Sequence, residues 1–403
     1  MLDASCLSFE RYGSVVMRVP NFEKIKQVAK DAGLDDIAVT GVEPLFEARA
    51  AIKERKHQGL HAGMNFTYGN PERATDPAQL FEGAKSILVA VRRYKPPSVD
   101  EPQTSDPGTK AGVEGPKGVV ASYVCSDEYG KLRQGLTTVA NYLEGFGART
   151  EVVMDDNRLA DRAVAARAGL GWLGRNTMLL HPELGSWTVI GSVVTDAPIG
   201  GRSEKTHDGC GTCRRCSTDC PTGAIDEFGV LDANKCLAWL LQAKGPFPRQ
   251  YRTALGDRLY GCDDCQVLCP INDETMKASG TISPKDSKVD IVALLDSADE
   301  ELMKQFGHWY IPRRRPEYLR RNALVVLGNS QSHNDLEVDR VLANCLISSE
   351  PLVRSHAVWA ALRLGKEHLI GPDVAESLVE HDPDGIVRAE LEEWGISLDS
   401  DSQ

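Results

Sequence analysis

Apolar residues alternate between two periods along the first half of the chain. Phe22, Ile25, Val28, Ala29 and Ala32 share one face of a predicted helix that Gly33 stops. Ile37, Val39 and Val42 follow as a short strand, a helix is expected after Pro44, and SILVAVR from Ser86 to Arg92 reads as a buried strand. After VVASYV, a helix from Asp127 to Glu144 carries Leu132, Leu136, Val139 and Leu143 on one side, and the strand TEVVM leads to Asp155. DRAVAARAGLGWLGRNTMLL predicts a helix running into a turn where Gly169, Gly171 and Gly174 mark backbone that bends sharply or approaches something closely. The strand GSWTVIGSVVTD ends at Asp196. Together these elements predict a mixed α/β N-terminal domain. The glycine-rich turn has neither the dinucleotide fingerprint nor the P-loop spacing.

Two stretches break this pattern. Lys95 to Gly118 is rich in Pro, Gly, Asp, Glu and Thr and reads as a long surface excursion. The last third is wholly helical, with Arg320, Arg354 and Arg388 at intervals of 34 residues and an apolar residue (Ala323, Ala357, Leu391) three places after each. Pro351 and Pro383 begin the later units and Gly328, Gly365 and Gly395 close them, which is the pattern of a short helical repeat.

Between them the cysteines take over. Cys210, Cys213, Cys216 and Cys220 stand at C-x2-C-x2-C-x3-C before Pro221, and Cys262, Cys265 and Cys269 at C-x2-C-x3-C before Pro270, with Cys236 alone between the groups. In the bacterial ferredoxin pattern three cysteines hold one cluster and the fourth reaches the other. That logic gives Cys210, Cys213, Cys216 and Cys269 to a first 4Fe-4S cluster and Cys220, Cys236, Cys262 and Cys265 to a second. Structural zinc is the alternative, but zinc requires neither the C-x3-C-P endings nor a crossed fourth ligand. Cys6, Cys125 and Cys345 are left over and read as inert thiols.

At 403 residues the chain has room for two or three domains. No signal peptide opens it and no apolar run is long enough to span a bilayer, so a soluble protein of the reducing cytoplasm is expected, with no membrane partner. A net charge of -12 argues against a surface broadly adapted to nucleic acid. A local patch is a separate matter, and Arg313, Arg314, Arg315, Arg320 and Arg321 form the densest positive run, beside the repeats.

AGLGWLGRNT, GSW with a later TD, CGTCRRCSTDCPTGAI, GDRLYGCDDCQVLCP and YLRRNALVVLGN occur in one order, with RATDPAQLFEGAKSILVAV before them. In these stretches the chain resembles the bacterial epoxyqueuosine reductases. The resemblance implies an α+β multidomain protein: a nitroreductase-like cobalamin-binding domain over 1–200, a ferredoxin-like two-cluster domain over 201–285, and HEAT-like repeats over 286–403. It implies reduction of epoxyqueuosine to queuosine at the wobble position of tRNA, with two 4Fe-4S clusters feeding cobalamin. An external flavodoxin or ferredoxin would supply electrons, and the repeats would grip the anticodon stem-loop.

By the same resemblance Arg73, Asp155, Gly171, Trp172, Gly174, Arg175, Asn176 and Thr177 line the cofactor, with Arg175 in place of the more usual Lys. None of the nine histidines falls in a D-x-H-x-x-G pattern, which fits a cobalamin without a histidine ligand. The family's acid segment corresponds to YVCSDEYGKL, which lacks the family His. Asp127 keeps Leu132 and Leu136 in helical phase and is the preferred proton donor, on the condition that it is partly buried. Glu128, which preserves an acid–Tyr pair with Tyr129, is the fallback. The segment WLLQAKG also departs from the family pattern, near the expected substrate side. A cobalamin reductase of a small molecule, on the plan of the reductive dehalogenases, and a two-cluster electron carrier are the alternative functions.

Overall fold

The computed structural model describes residues 7–9, 18–97, 115–201, 206–278, 280–332, 335–380 and 382–396. Most of the excursion after Lys95, and Cys6, lie outside them. The chain divides into two compact units whose segments interleave: Met1–Pro96, Ser126–Asn234 and Asp264–Thr281 make the first, and Pro97–Cys125, Lys235–Asp263 and Ile282–Gln403 the second. The expected boundaries at 200 and 285 are not where the chain divides. The cysteine region is shared out instead, with Cys236 and Cys262 in the second unit and the other six in the first.

In the first unit, α1 (Phe22–Asp31) begins where the Asn21 side chain accepts the Glu23 N–H at 2.9 Å, and it buries Ile25 and Ala29. Gly33, at φ 79, ends it. β1 (Asp36–Thr40), α2 (Phe46–His57) and β2 (Ser86–Arg93) follow. α3 (Glu128–Glu144) is capped by Asp127 and completely buries Leu132, Leu136, Val139 and Leu143, at the spacing the sequence shows. β3 (Thr150–Val153), α4 (Asp161–Arg167), the two-residue strands β4 (Trp172–Leu173) and β5 (Leu179–Leu180), and β6 (Thr188–Thr195) complete the frame.

The main sheet runs β1-β2-β6-β3 with every pairing antiparallel. Ile87 to Val91 of β2 have no exposed surface, as an apolar run buried on both faces should. Helices pack against this antiparallel sheet, so the unit is α+β.

In the second unit, Lys117–Val120 pairs in parallel with Arg258–Tyr260 and antiparallel with Lys288–Asp290. The expected strand VVASYV stops at Val120, and Ser122–Val124 form a 3-10 turn. After the short helix α5 (Leu237–Leu240), α6 (Glu317–Gly328), α7 (Pro351–Arg363) and α8 (Ile386–Glu393) pack in series, α6 on α7 and α7 on α8. Ala323, Ala357 and Leu391 are fully buried at the repeating position.

Gly365 and Gly395 close their helices at φ 68 and 73. Gly328 has another reason: a Cβ there would lie 2.4 Å from the Trp359 ring, so it permits the close approach of α6 and α7. Pro383 stands in the turn before α8, which starts at Ile386.

Candidate functional site

Four thiols share one cavity in the first unit. Cys210, Cys213, Cys216 and Cys269 line about 430 Å3 of empty space, part of it open to solvent, together with Arg175, Asn176 and Arg215. Burial, then the neighbouring Cys269, Cys210 and Cys213, push the Cys216 thiol up to about 11. Such a set of thiolates requires a cationic centre among them. Burial also raises Cys269, while the backbone N–H groups of Ile271 and Asn272 donate to its sulfur and favour the thiolate. Among the described residues no three His, Cys, Asp or Glu side chains close on a point as they would around a single ion, and these thiols instead line a larger space. The donor set and the cavity fit an iron-sulfur cluster.

The glycine-rich turn folds as a β4–β5 hairpin against this cavity. A Cβ on Gly171 would lie 2.2 Å from the Leu180 carbonyl oxygen and one on Gly174 would lie 2.5 Å from Leu180 Cδ1, so both glycines answer to close approach. Gly169 supplies the bend, at φ 86. The indole of Trp172 lies beside Gly209, where a Cβ would be 2.6 Å from its ring, just before the first cysteine. Arg175 donates to the carbonyls of Gly211 and Glu227 at 3.0 and 2.8 Å, and the Asn176 amide donates to the Cys265 carbonyl at 3.3 Å. Arg175 and Asn176, expected to line cobalamin, therefore face the cysteine motifs. The reason is that the hairpin turns its tip toward the 209–216 loop.

Thr177, at φ 64, accepts from Arg162 at 2.5 Å through its backbone carbonyl. Arg162 leads to an acidic cluster of Asp155, Asp156 and Asp161, of which the sequence reading named Asp155 alone. Burial raises Asp161 well above the ordinary carboxylate range, and the charges of Asp155 and Asp156 add to it. Its Oδ1 is buried without a partner among the described residues. Asp155, at φ 48, is likewise raised by burial and by Asp156. Asp156 is lowered by its bond to Arg158, with Arg73 contributing charge.

Arg162 keeps exposed surface, and the packing around it lowers its pKa. The buried Trp172 Nε1 and His61 Nδ1 also lack partners among the described residues. The orphaned Asp161 Oδ1 fits a ligand that offers amide groups, such as cobalamin. Asp161 and Arg162 could have been found as the charged head of the DRAVAARAG helix, but no spacing marks them as site residues.

At the start of α3 the two candidate acids differ in burial. Asp127 is exposed, and its carboxylate accepts the Gly130 N–H at 2.8 Å as a helix cap. The burial required of the acid is absent there. Glu128 is buried instead, 2.6 Å from both Arg92 Nε and Lys131 Nζ. Burial would raise it, but the bonds to Lys131, Arg92 and Ser126 outweigh that and hold it below its ordinary range.

The arginine run is corrected too. Arg321 has no exposed surface and donates to the carbonyls of Leu240, Leu241, Ala243 and Gly245 at 2.7–3.1 Å, so it cannot meet a phosphate. Four of the seven residues of WLLQAKG serve as its acceptors. Arg320 pairs with Asp299, and Arg315 with Glu317 and Glu350. Arg314 donates to the Gly307 carbonyl, which leaves Arg313 exposed with no ion-pair partner among the described residues. Of the spare thiols, burial pushes half-buried Cys125 and buried Cys345 up to about 12, consistent with inert cysteines.

A four-thiol cavity in an α+β unit defines a class, the iron-sulfur proteins, and the sequence pattern of the 4Fe-4S double cluster binding domain matches residues 209–272. The chain is 30% identical to the epoxyqueuosine reductase of Bacillus anthracis over 86% of this chain and 90% of the relative. It is 31% identical to that of Staphylococcus aureus over 84% and 87%. The chain belongs to the epoxyqueuosine reductase family.

Two solved structures agree at the level of the fold. One, an epoxyqueuosine reductase from Bacillus subtilis with its catalytic loop swung out of the active site, is 27% identical with TM-score 0.80, over 94% of this chain and 98% of that one. The other, an epoxyqueuosine reductase with an epoxyqueuosine-modified tRNA stem loop, is 28% identical with the same TM-score and coverage.

Proposed function

We propose that this chain reduces epoxyqueuosine to queuosine at the wobble position of tRNA. Two electrons and two protons open the epoxide and leave an alkene and water. The observation that carries the reading is the union of a four-thiol cavity with the Trp172–Thr177 hairpin, which joins an electron-transfer site to the unit holding the Asp155–Asp161 acidic cluster.

Cys210, Cys213, Cys216 and Cys269 would hold the first 4Fe-4S cluster. For the second quartet, Cys220, Cys236, Cys262 and Cys265, spacing is the support, together with the Ala224 N–H that donates to the Cys220 sulfur at 3.3 Å. An external one-electron carrier such as a flavodoxin or ferredoxin feeds them.

Asp155, Asp161, Arg73, Trp172 and Thr177 would hold cobalamin, which supplies a cobalt centre reducible in single-electron steps. Burial raises Asp155 and Asp161 and so favours their protonated forms, and a protonated carboxyl there could donate to a ligand's amide oxygen. Proton delivery falls to the start of α3. Glu128 is the acid shielded from solvent there, although Arg92 and Lys131 hold it ionised, so it carries a proton only once substrate binding separates it from them. The Bacillus subtilis relative, whose catalytic loop swings out of its active site, offers a precedent for such movement.

Arg313 and Arg314, at non-helical positive φ and exposed, are the phosphate contacts that remain from the arginine run. The first unit is read as nitroreductase-like and the stacked helices α6 to α8 as HEAT-like. No helix among the described residues is long and apolar enough to cross a membrane. A tRNA substrate supports a cytoplasmic location.

Incubating the reconstituted protein, cobalamin and a reductant with epoxyqueuosine-containing tRNA tests the proposal. Mass spectrometry of the digested tRNA should show loss of one oxygen from the modified nucleoside. An unchanged nucleoside with fully loaded protein overturns the proposal.

A further inference from the structure

We propose that Arg175 and Arg215 tune the first cluster, raising its reduction potential, and that Arg175 also fixes the loop carrying Cys210 and Cys213. The proposal rests on reading the four-thiol cavity as a 4Fe-4S site. Reduction there is [4Fe-4S]2+ + e− → [4Fe-4S]+, in which no bond breaks and no proton moves. The added charge enters a centre that already carries four thiolates, so a neighbouring cation stabilises the reduced form more than the oxidised form.

The lining bears this out in its composition. Apart from the four thiols, the ionisable side chains among the described lining residues are two arginines, in a chain of net charge -12, while the Asp208 carboxylate accepts the Cys210 N–H at 2.8 Å just outside that lining. Arg175 is held in place from two sides. Its guanidinium spans the Gly211 and Glu227 carbonyls, and Gly229, at φ 83, packs so close that a Cβ would be 2.8 Å from Arg175 Cα. Gly211 lies between Cys210 and Cys213, so the same side chain that brings the charge also pins the cysteine loop. A lysine has one nitrogen where Arg175 uses two, and it could not serve both carbonyls in this geometry.

Arg215 differs because it is exposed and has no carboxylate partner among the described residues. Its neighbour Arg214 is paired with Glu227 at 2.9 Å. Arg215 therefore contributes charge and no visible brace, which makes it the cleaner probe.

The test is an anaerobic redox titration of the reconstituted holoprotein, followed by electron paramagnetic resonance, with dithionite and mediators as reductant. Arg215→Gln should lower one of the two one-electron waves by at least about threefold in the reduced-to-oxidised ratio, or ~28 mV at 59 mV per decade. The other wave should stay in place, and Arg215→Lys should keep both at the wild-type potentials. Arg175→Gln should lower the same wave and also reduce iron retention. Unmoved waves in Arg215→Gln, equal movement of both, or a shift in Arg215→Lys as large as in Arg215→Gln would overturn the proposal. Wild-type protein that binds no cluster after reconstitution would overturn the four-thiol reading itself, a separate and recognisable failure.

Discussion

The carboxylate of Glu128 lies 2.6 Å from Arg92 Nε while the carboxylate of Asp127, one residue earlier, faces solvent and caps α3. Adjacent acids thus have different work. Asp127→Asn keeps a capping side chain, so it should leave stability within about 0.5 kcal/mol and retain most of the turnover. Glu128→Gln should cut turnover by roughly 100-fold. Single-turnover reduction of epoxyqueuosine-tRNA separates them, and an inactive Asp127→Asn with an active Glu128→Gln returns the role to Asp127.

The Glu128 cluster also predicts a pH dependence of stability. Its pKa is lowered in the folded protein, so its contribution is present above the unfolded value, about 4.3, and is lost as pH falls through the folded value. Glu128→Gln should therefore melt below wild type at pH 7, and the two melting curves should converge below about pH 4. A gap of constant size down to the lowest pH would refute the assignment.

Asp161 predicts the opposite sign. Its folded pKa is raised, so the folded state holds a proton that the unfolded state releases, and stability declines as pH rises above about 3.9. Asp161→Asn in the cofactor-free protein should weaken that decline, leaving the variant more stable than wild type at pH 8 relative to pH 5. Thermal melts at the two pH values check it.

Arg321 and Arg313 should fail in different ways. Arg321→Ala removes a buried cation from four backbone carbonyls and should destabilise the second unit by roughly 3–5 kcal/mol, seen as a lower unfolding midpoint. Arg313→Gln should leave the midpoint unchanged and reduce the salt dependence of tRNA binding by about one phosphate contact. Normal stability in Arg321→Ala would show that its acceptors find other donors.

Cys216→Ala should lose one cluster and keep the other, halving bound iron and labile sulfide. Loss of all iron would mean that the two quartets assemble only together.

What the sequence determined is whatever rests on local spacing. The turns of α3, the buried run of β2, the 34-residue recurrence in α6 to α8 and the cysteine intervals all follow from side-chain periodicity, and the structure repeats them. What only the tertiary structure decided is the environment of each charge. Arg321 and Arg313 are eight residues apart in one basic run, yet one is enclosed by the carbonyls after α5 and the other faces water. Asp161 looks like an ordinary helix-start acid until burial and Asp155 hold its proton on. Arg175, named through the resemblance as a cofactor residue, also reaches the cysteine loop because the glycines let its hairpin pack there. Burial and long-range partners set whether a charge pairs, titrates or remains free, and no local pattern records them.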